Sequence, residues 1–387
     1  MHASTMVLMG LLALLSTGVR AQDLVAEPAP EWSALFHRQQ GWTGADGIFF
    51  VPLNGNEVRQ QGAEIRTLLL FSDTAIGNVG FEGERLEGTK LVNNTLAVLQ
   101  GSAPRSEKLE FFWGGHITGE PAAIFEPETA SAKEGEWYWL QDGVALGDKV
   151  HILAIRMRKT DDPVFGFATS GVNLLTMDLS APHPMGRHTQ QDTPFFKEPE
   201  GGHGDLTFGS GILVNTEAAG APHPDGFVYV YGVRNDASKK LMAARVEAEA
   251  FADFSAWRFW TGASWSEHLH DVATITEQIS NELSVSPLAD GRYLLVCQVG
   301  GITADVGVRV GLSPVGPFGE LQKIYHAPEP ATDPETFAYN AKGHPHLSKP
   351  GELLISYNVN TFDFWGDFFR DAGIYRPRFI RLKLDRL

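Results

Sequence analysis

The chain has one cysteine in 387 residues. An intrachain disulfide framework is therefore excluded. Cys297 lies in the apolar run Tyr293–Cys297 and reads as a small buried strand residue; no histidine motif accompanies it, as a nucleophile would require. Long apolar runs are missing after Ser16, so no later segment reaches the ~20 residues of a membrane-spanning helix. Extended helical periodicity is missing too, and only Asp253–Trp257 and Asp271–Ile279 read as short helices. Positive charge is scarce: 31 Lys and Arg stand against 47 Asp and Glu, a formal net charge of −16. Such a surface repels nucleic acid and anionic membrane, and it favours solubility.

What is present starts with Met6–Ser16, MVLMGLLALLS, followed by Val19-Arg20-Ala21. The short apolar stretch and the small-x-small ending define a signal peptide over residues 1–21. The run is too short for a membrane anchor. The mature chain is expected to begin near Gln22, to be soluble and monomeric, and to work in the periplasm or outside the cell.

Residues 22–387 read as one all-β domain. Short runs rich in β-branched and aromatic residues alternate with turn signals. Five places repeat one unit, a strand, a polar turn and a more apolar strand: Asp46–Thr74, Asp142–Met157, Ser210–Val233, Glu282–Val299 and His344–Val359. Their turns are Asn54-Gly55, Gly147-Asp148, Asp225-Gly226, Asp290-Gly291 and Pro350-Gly351, which supply hairpin chemistry. The units are spaced more widely than the ~45 residues of a common propeller repeat, which calls for loop insertions. A five-bladed β-propeller around a central pocket accounts for the repetition; a β-sandwich or irregular barrel is the alternative.

Superposing the units selects residues. Asp46, Asp142, Glu282 and His344 each stand just ahead of an expected innermost strand, at the pocket rim. Asp73 ends the apolar strand Leu68–Phe71, and hairpin pairing would bring it beside Asp46. Crowded carboxylates raise one another's pKa, so one stays protonated while another ionises. Glycoside hydrolysis needs that division. Asp-Gly also makes turns without further role. Trp42, Trp113 and Trp137–Trp139 offer ring faces for sugars or, individually, core packing. Arg376, before the final strand, is expected either to point inward beside the acids or to form a structural ion pair. His344 and His346, and His203 with Asp205, match no standard metal motif. No cofactor is expected, although the axial channel leaves room for a structural cation.

The segments Gly44-Ala45-Asp46-Gly47, Leu70–Thr74, Val92-Asn93-Asn94-Thr95, Tyr339–Pro345 and Tyr375–Phe379 resemble a family of exported bacterial five-bladed propellers of unassigned function. Ser313–Phe318 resembles a turn shared by five-bladed glycosidase propellers. Similarity to endo-D-arabinanases implies that Asp46 and Asp73 are the catalytic pair. Similarity to the more distant arabinanase and xylosidase propellers implies Asp46, Asp142 and Glu282 instead. The two readings agree on Asp46 alone.

The functional expectation is an exported hydrolase of a polysaccharide or oligosaccharide, with arabinofuranose polymers among the candidates. Asp46, Asp73 and Glu282 are the catalytic candidates. Asn94, Trp139, Asp142, His344 and Arg376 are the substrate-binding candidates. A carbohydrate-binding propeller without catalysis is one alternative. A polysaccharide lyase, with His344 or a tyrosine as base and Arg376 neutralising a uronate, is the other.

Overall fold

A computed structural model describes residues 24–58, 65–162, 166–179 and 187–387. The expected signal peptide lies outside them, as do residues 59–64 of the long first turn and 180–186 of the long middle loop. Among the described residues no helix is long and apolar enough to cross a membrane.

Among the described residues six antiparallel sheets form, and the larger five follow one another along the chain. The first contains Phe49–Pro52, Arg66–Phe71, Thr95–Gln100 and Leu109–Phe112. The second runs from Trp137–Leu146 to His188–Asp192. The third is built on Leu206–Asn215, the fourth on Leu283–Pro287 and the fifth on Thr336–Gly343. The expected turns connect these five inner strands to their neighbours. The inner strands of successive sheets pack side by side. The fifth sheet meets the first through His344 stacked on Phe50, with ring centroids 4.3 Å apart, and through a 3.2 Å bond between Thr67 Oγ1 and His346 Nε2. The arrangement is propeller-like.

Strand composition explains why the sheets stack. In Thr67–Phe71 every residue is buried, as befits a strand covered on both faces. Alternate side chains serve opposite neighbours. Leu68 and Leu70 pack with Tyr138, Leu140 and Ile152 of the second sheet. Leu69 and Phe71 join Leu354 and Phe379 of the fifth. Leu295 and Leu294 repeat the pattern towards the third and fifth sheets. Cys297 is a buried strand residue, and burial pushes its thiol up to about 12. The outer strand of the fifth sheet is Ala26–Pro28, paired with Arg378–Lys383, so the two ends of the described chain close one sheet together.

Several expectations change. Asp253–Trp257 and Asp271–Ile279 are turns and irregular chain, while a helix forms at Phe364–Arg370, capped by Asp363. In the fifth unit the inner strand precedes His344 rather than following it. Pro345 cannot donate to a ladder, and residues Pro345–Leu347 make a short 3-10 turn. Asp142 lies within its strand, where the pairing register shifts between Ile152 and Ala154.

Beside the first sheet stands a smaller one, Gln40–Ala45, Thr74–Asn78 and Lys90–Val92. Three chain segments run from one sheet into the other, each bending at a polar dipeptide or glycine: Asp46-Gly47, Ser72-Asp73 and Asn93-Asn94. This crease holds the candidate site.

Candidate active site

Backbone hydrogen bonds hold the crease together. Asp46 N–H donates to Asp73 O at 3.3 Å, and Ser72 N–H donates to Asp46 O at 3.0 Å. Each bend divides its labour between two residues. Gly47 has φ +63°, and a Cβ there would lie 2.6 Å from Ser72 Oγ, so only glycine fits. Ser72 Oγ donates to Leu140 O of the second sheet. Asn94 is fully buried; its Nδ2 donates to Phe125 O and Tyr138 O, and its Oδ1 accepts from the N–H groups of Ile124 and Phe125. The other member of each pair, Asp46, Asp73 and Asn93, is only partly buried.

Asp73 Oδ1 accepts from Trp139 Nε1 at 2.8 Å and from Asn93 Nδ2 at 3.1 Å. Burial raises the Asp73 carboxyl and these two donors pull it back, leaving it at about 6. Asp46 Oδ2 accepts from Tyr339 Oη at 2.8 Å, while its Oδ1 is buried with no partner. Burial, then the charges of Asp73 and Glu282, push Asp46 well above the usual carboxylate range, against the opposing hydrogen bonds of Tyr339 and Tyr375. The two carboxyls are thus shifted unequally: Asp73 to about 6, Asp46 well above its ordinary range.

The remaining candidates lie deeper or elsewhere. Glu282 immediately precedes its inner strand, as expected, but is buried and ion-paired with Lys342, whose ammonium sits 4.3 Å from the Phe49 ring centroid. Asp142 accepts from Gly143 N–H and Ile212 N–H, tying the second sheet to the third. Burial raises it to about 7. It lines a channel below the crease together with Glu57, which sequence reasoning passed over. Burial first, then the Asp142 charge, raises Glu57 to about 8.

Three substrate-binding expectations are corrected. Asn94 is a structural clamp, and its neighbour Asn93 reaches the pocket. His344 lines the channel with Asp142 and Glu57, but its Nε2 is hydrogen-bonded to Ser356 Oγ, and burial holds the ring neutral. The Arg376 guanidinium donates to Thr43 O and Arg38 O, held by backbone rather than by acids or solvent. The lyase reading thereby loses both its histidine base and its uronate cation. Trp139 reaches the site through its indole N–H. Tyr339, Tyr375 and Asn93 were missed as individual residues, although all three lie in the segments that carry the family resemblance. Among the described residues no three His, Cys, Asp or Glu side chains are grouped to hold a metal ion.

The fold and pocket define an all-β, propeller-like protein with an unequal carboxylate pair. Residues 30–384 match the family described as domain of unknown function DUF5005, and the chain belongs to that family. No curated protein matches it in sequence. Among solved structures, a Bacteroides ovatus ATCC 8483 protein provisionally named a hydrolase is similar at 20% identity and TM-score 0.72, covering 98% of this chain and 97% of its own. The endo-arabinase of Bacteroides thetaiotaomicron VPI-5482 is similar at 10% identity and TM-score 0.43, covering 86% and 96%. An alpha-L-arabinofuranosidase of Podospora anserina is similar at 12% identity and TM-score 0.43, covering 88% and 98%.

Proposed function

We propose that the chain is an exported, five-bladed propeller glycoside hydrolase acting on a polysaccharide, with arabinofuranose polymers the first to test. One observation carries the reading: Asp46 and Asp73 sit on adjacent bends of one crease, joined by the backbone bond from Asp46 N–H to Asp73 O, with both carboxyls shifted upward and by unequal amounts. The resemblance of the crease segments to arabinanase-related propellers supports it.

Asp46 acts as general acid. Tyr339 donates to Oδ2 and holds the protonated carboxyl in place. That proton passes to the glycosidic oxygen as the bond to the anomeric carbon breaks. Asp73 is the ionised partner, held by Trp139 and Asn93. It either attacks the anomeric carbon or removes a proton from the attacking water. Glu282 takes no direct part, because it is buried in an ion pair with Lys342.

Asp46→Asn should lower hydrolysis by about 10²–10⁴-fold with no loss of thermal stability. Reducing-end release from purified plant, algal and mycobacterial-type glycans is the measurement. Full activity in that variant would remove Asp46 from the mechanism. Glycan affinity without new reducing ends in the wild type would favour the non-catalytic binding module.

A further inference from the structure

Each carboxyl is joined to an aromatic wall. Asp73 bonds to Trp139, whose ring lies 4.8 Å from that of Phe167. Asp46 bonds to Tyr339, whose ring lies 5.4 Å from Phe337, and Phe337 lies 4.7 Å from Phe362. Phe337 and Tyr339 share a face of the inner strand of the fifth sheet by its two-residue period. Phe362 N–H is anchored on Glu335 O at 3.0 Å, yet its side chain is 67% exposed. A lone exposed phenylalanine means little. This one continues an unbroken row of rings that ends on the proposed acid.

We propose that Phe362 and Phe337 form an outer binding ledge for a neutral glycan chain leaving the acid pair, a proposal that rests on the hydrolase reading for its direction. Sugar rings present apolar C–H faces. A phenylalanine without a polar tip suits such a face, and a rigid ring loses little entropy on binding. The chain bound there is uncharged for two reasons. Among the described residues the guanidinium groups of Arg376 and Arg378 are committed to backbone carbonyls and Glu329, and that of Arg370 is paired with Asp367, which also bonds Thr361 beside Phe362. The net charge of −16 also repels anionic polymers.

The test compares Phe362→Ala with wild type on linear arabinan and linear galactan, and on their two-sugar and six-sugar oligosaccharides. Phe362 is exposed, so the fold should survive. Loss of one stacking contact should weaken binding of the polymer and the six-sugar probe about two- to tenfold, with the two-sugar probe unchanged. Binding is read by calorimetry in the Asp46→Asn background, which separates the ledge from catalysis. If wild type releases no reducing ends but Phe362→Ala still weakens long-chain binding, the hydrolase reading fails and the ledge stands. Equal affinity of both forms for the long probes overturns the ledge, as does equal weakening at both lengths or no binding of any probe. Sedimentation provides a further arm: a wild-type dimer that Phe362→Ala converts to monomer, with glycan affinity unchanged, would assign the face to a second copy and overturn the proposal.

Discussion

At the residue scale, the hydrogen bonds to the two carboxyls act on opposite limbs of a pH profile. Activity should rise as Asp73 ionises through about 6 and fall when Asp46 finally ionises at higher pH. Trp139→Phe removes a donor that favours the ionised form of Asp73. A hydrogen bond to a charged group contributes about 1.5–3 kcal/mol, so the acidic limb of kcat/KM should move upward by about one to two pH units. An unmoved limb would mean that Asp73 is not the ionised partner. Tyr339→Phe removes a bond that lowers the Asp46 pKa, so the alkaline limb should also move upward while kcat falls. These partners show where reading by residue stopped. Asp46 and Asp73 were legible because hairpin pairing is local. Tyr339 was not individually legible, because it reaches Asp46 across 293 residues and no short-range pattern encodes such a contact.

At the element scale, the parity of the bends decides function. A strand sends successive side chains to opposite sides. Choosing Asn94 over Asn93 therefore exchanged a structural clamp for a pocket residue. Asn94→Ala removes the partner of Phe125 N–H and the side-chain donor to two backbone carbonyls, while Ile124 N–H keeps its bond to the residue 94 carbonyl, and should cost about 3–5 kcal/mol of stability. Asn93→Ala should leave the thermal midpoint near wild type and lower activity. Thermal denaturation of both variants distinguishes them, and equal midpoints would contradict the assignment. The turns between inner and second strands were readable from Asn-Gly and Asp-Gly chemistry. The position of the fifth inner strand was not, because Thr336–Gly343 is only partly apolar and the strand after it is much more so.

At the scale of the whole molecule, the axial channel imposes a pH dependence of stability. Glu57 and Asp142 have folded pKa values of about 8 and about 7, above their ordinary 4.5 and 3.8. The unfolded chain releases these protons first, so stability is greatest below pH ~4 for these groups and declines as pH rises towards ~8. Glu57→Gln should flatten that decline, by on the order of 3 kcal/mol at pH 8, in denaturant titrations across the range. A decline as steep as wild type would show that Glu57 does not titrate in the fold. The pairing of distant segments has a further consequence. Tyr375 and the strand Arg378–Lys383 lie more than 300 residues along the chain from Asp46 and Ala26–Pro28, yet one contacts Asp46 and the other pairs with Ala26–Pro28. Loss of this one segment therefore strips a tyrosine from the Asp46 carboxyl and a partner strand from Ala26–Pro28 together.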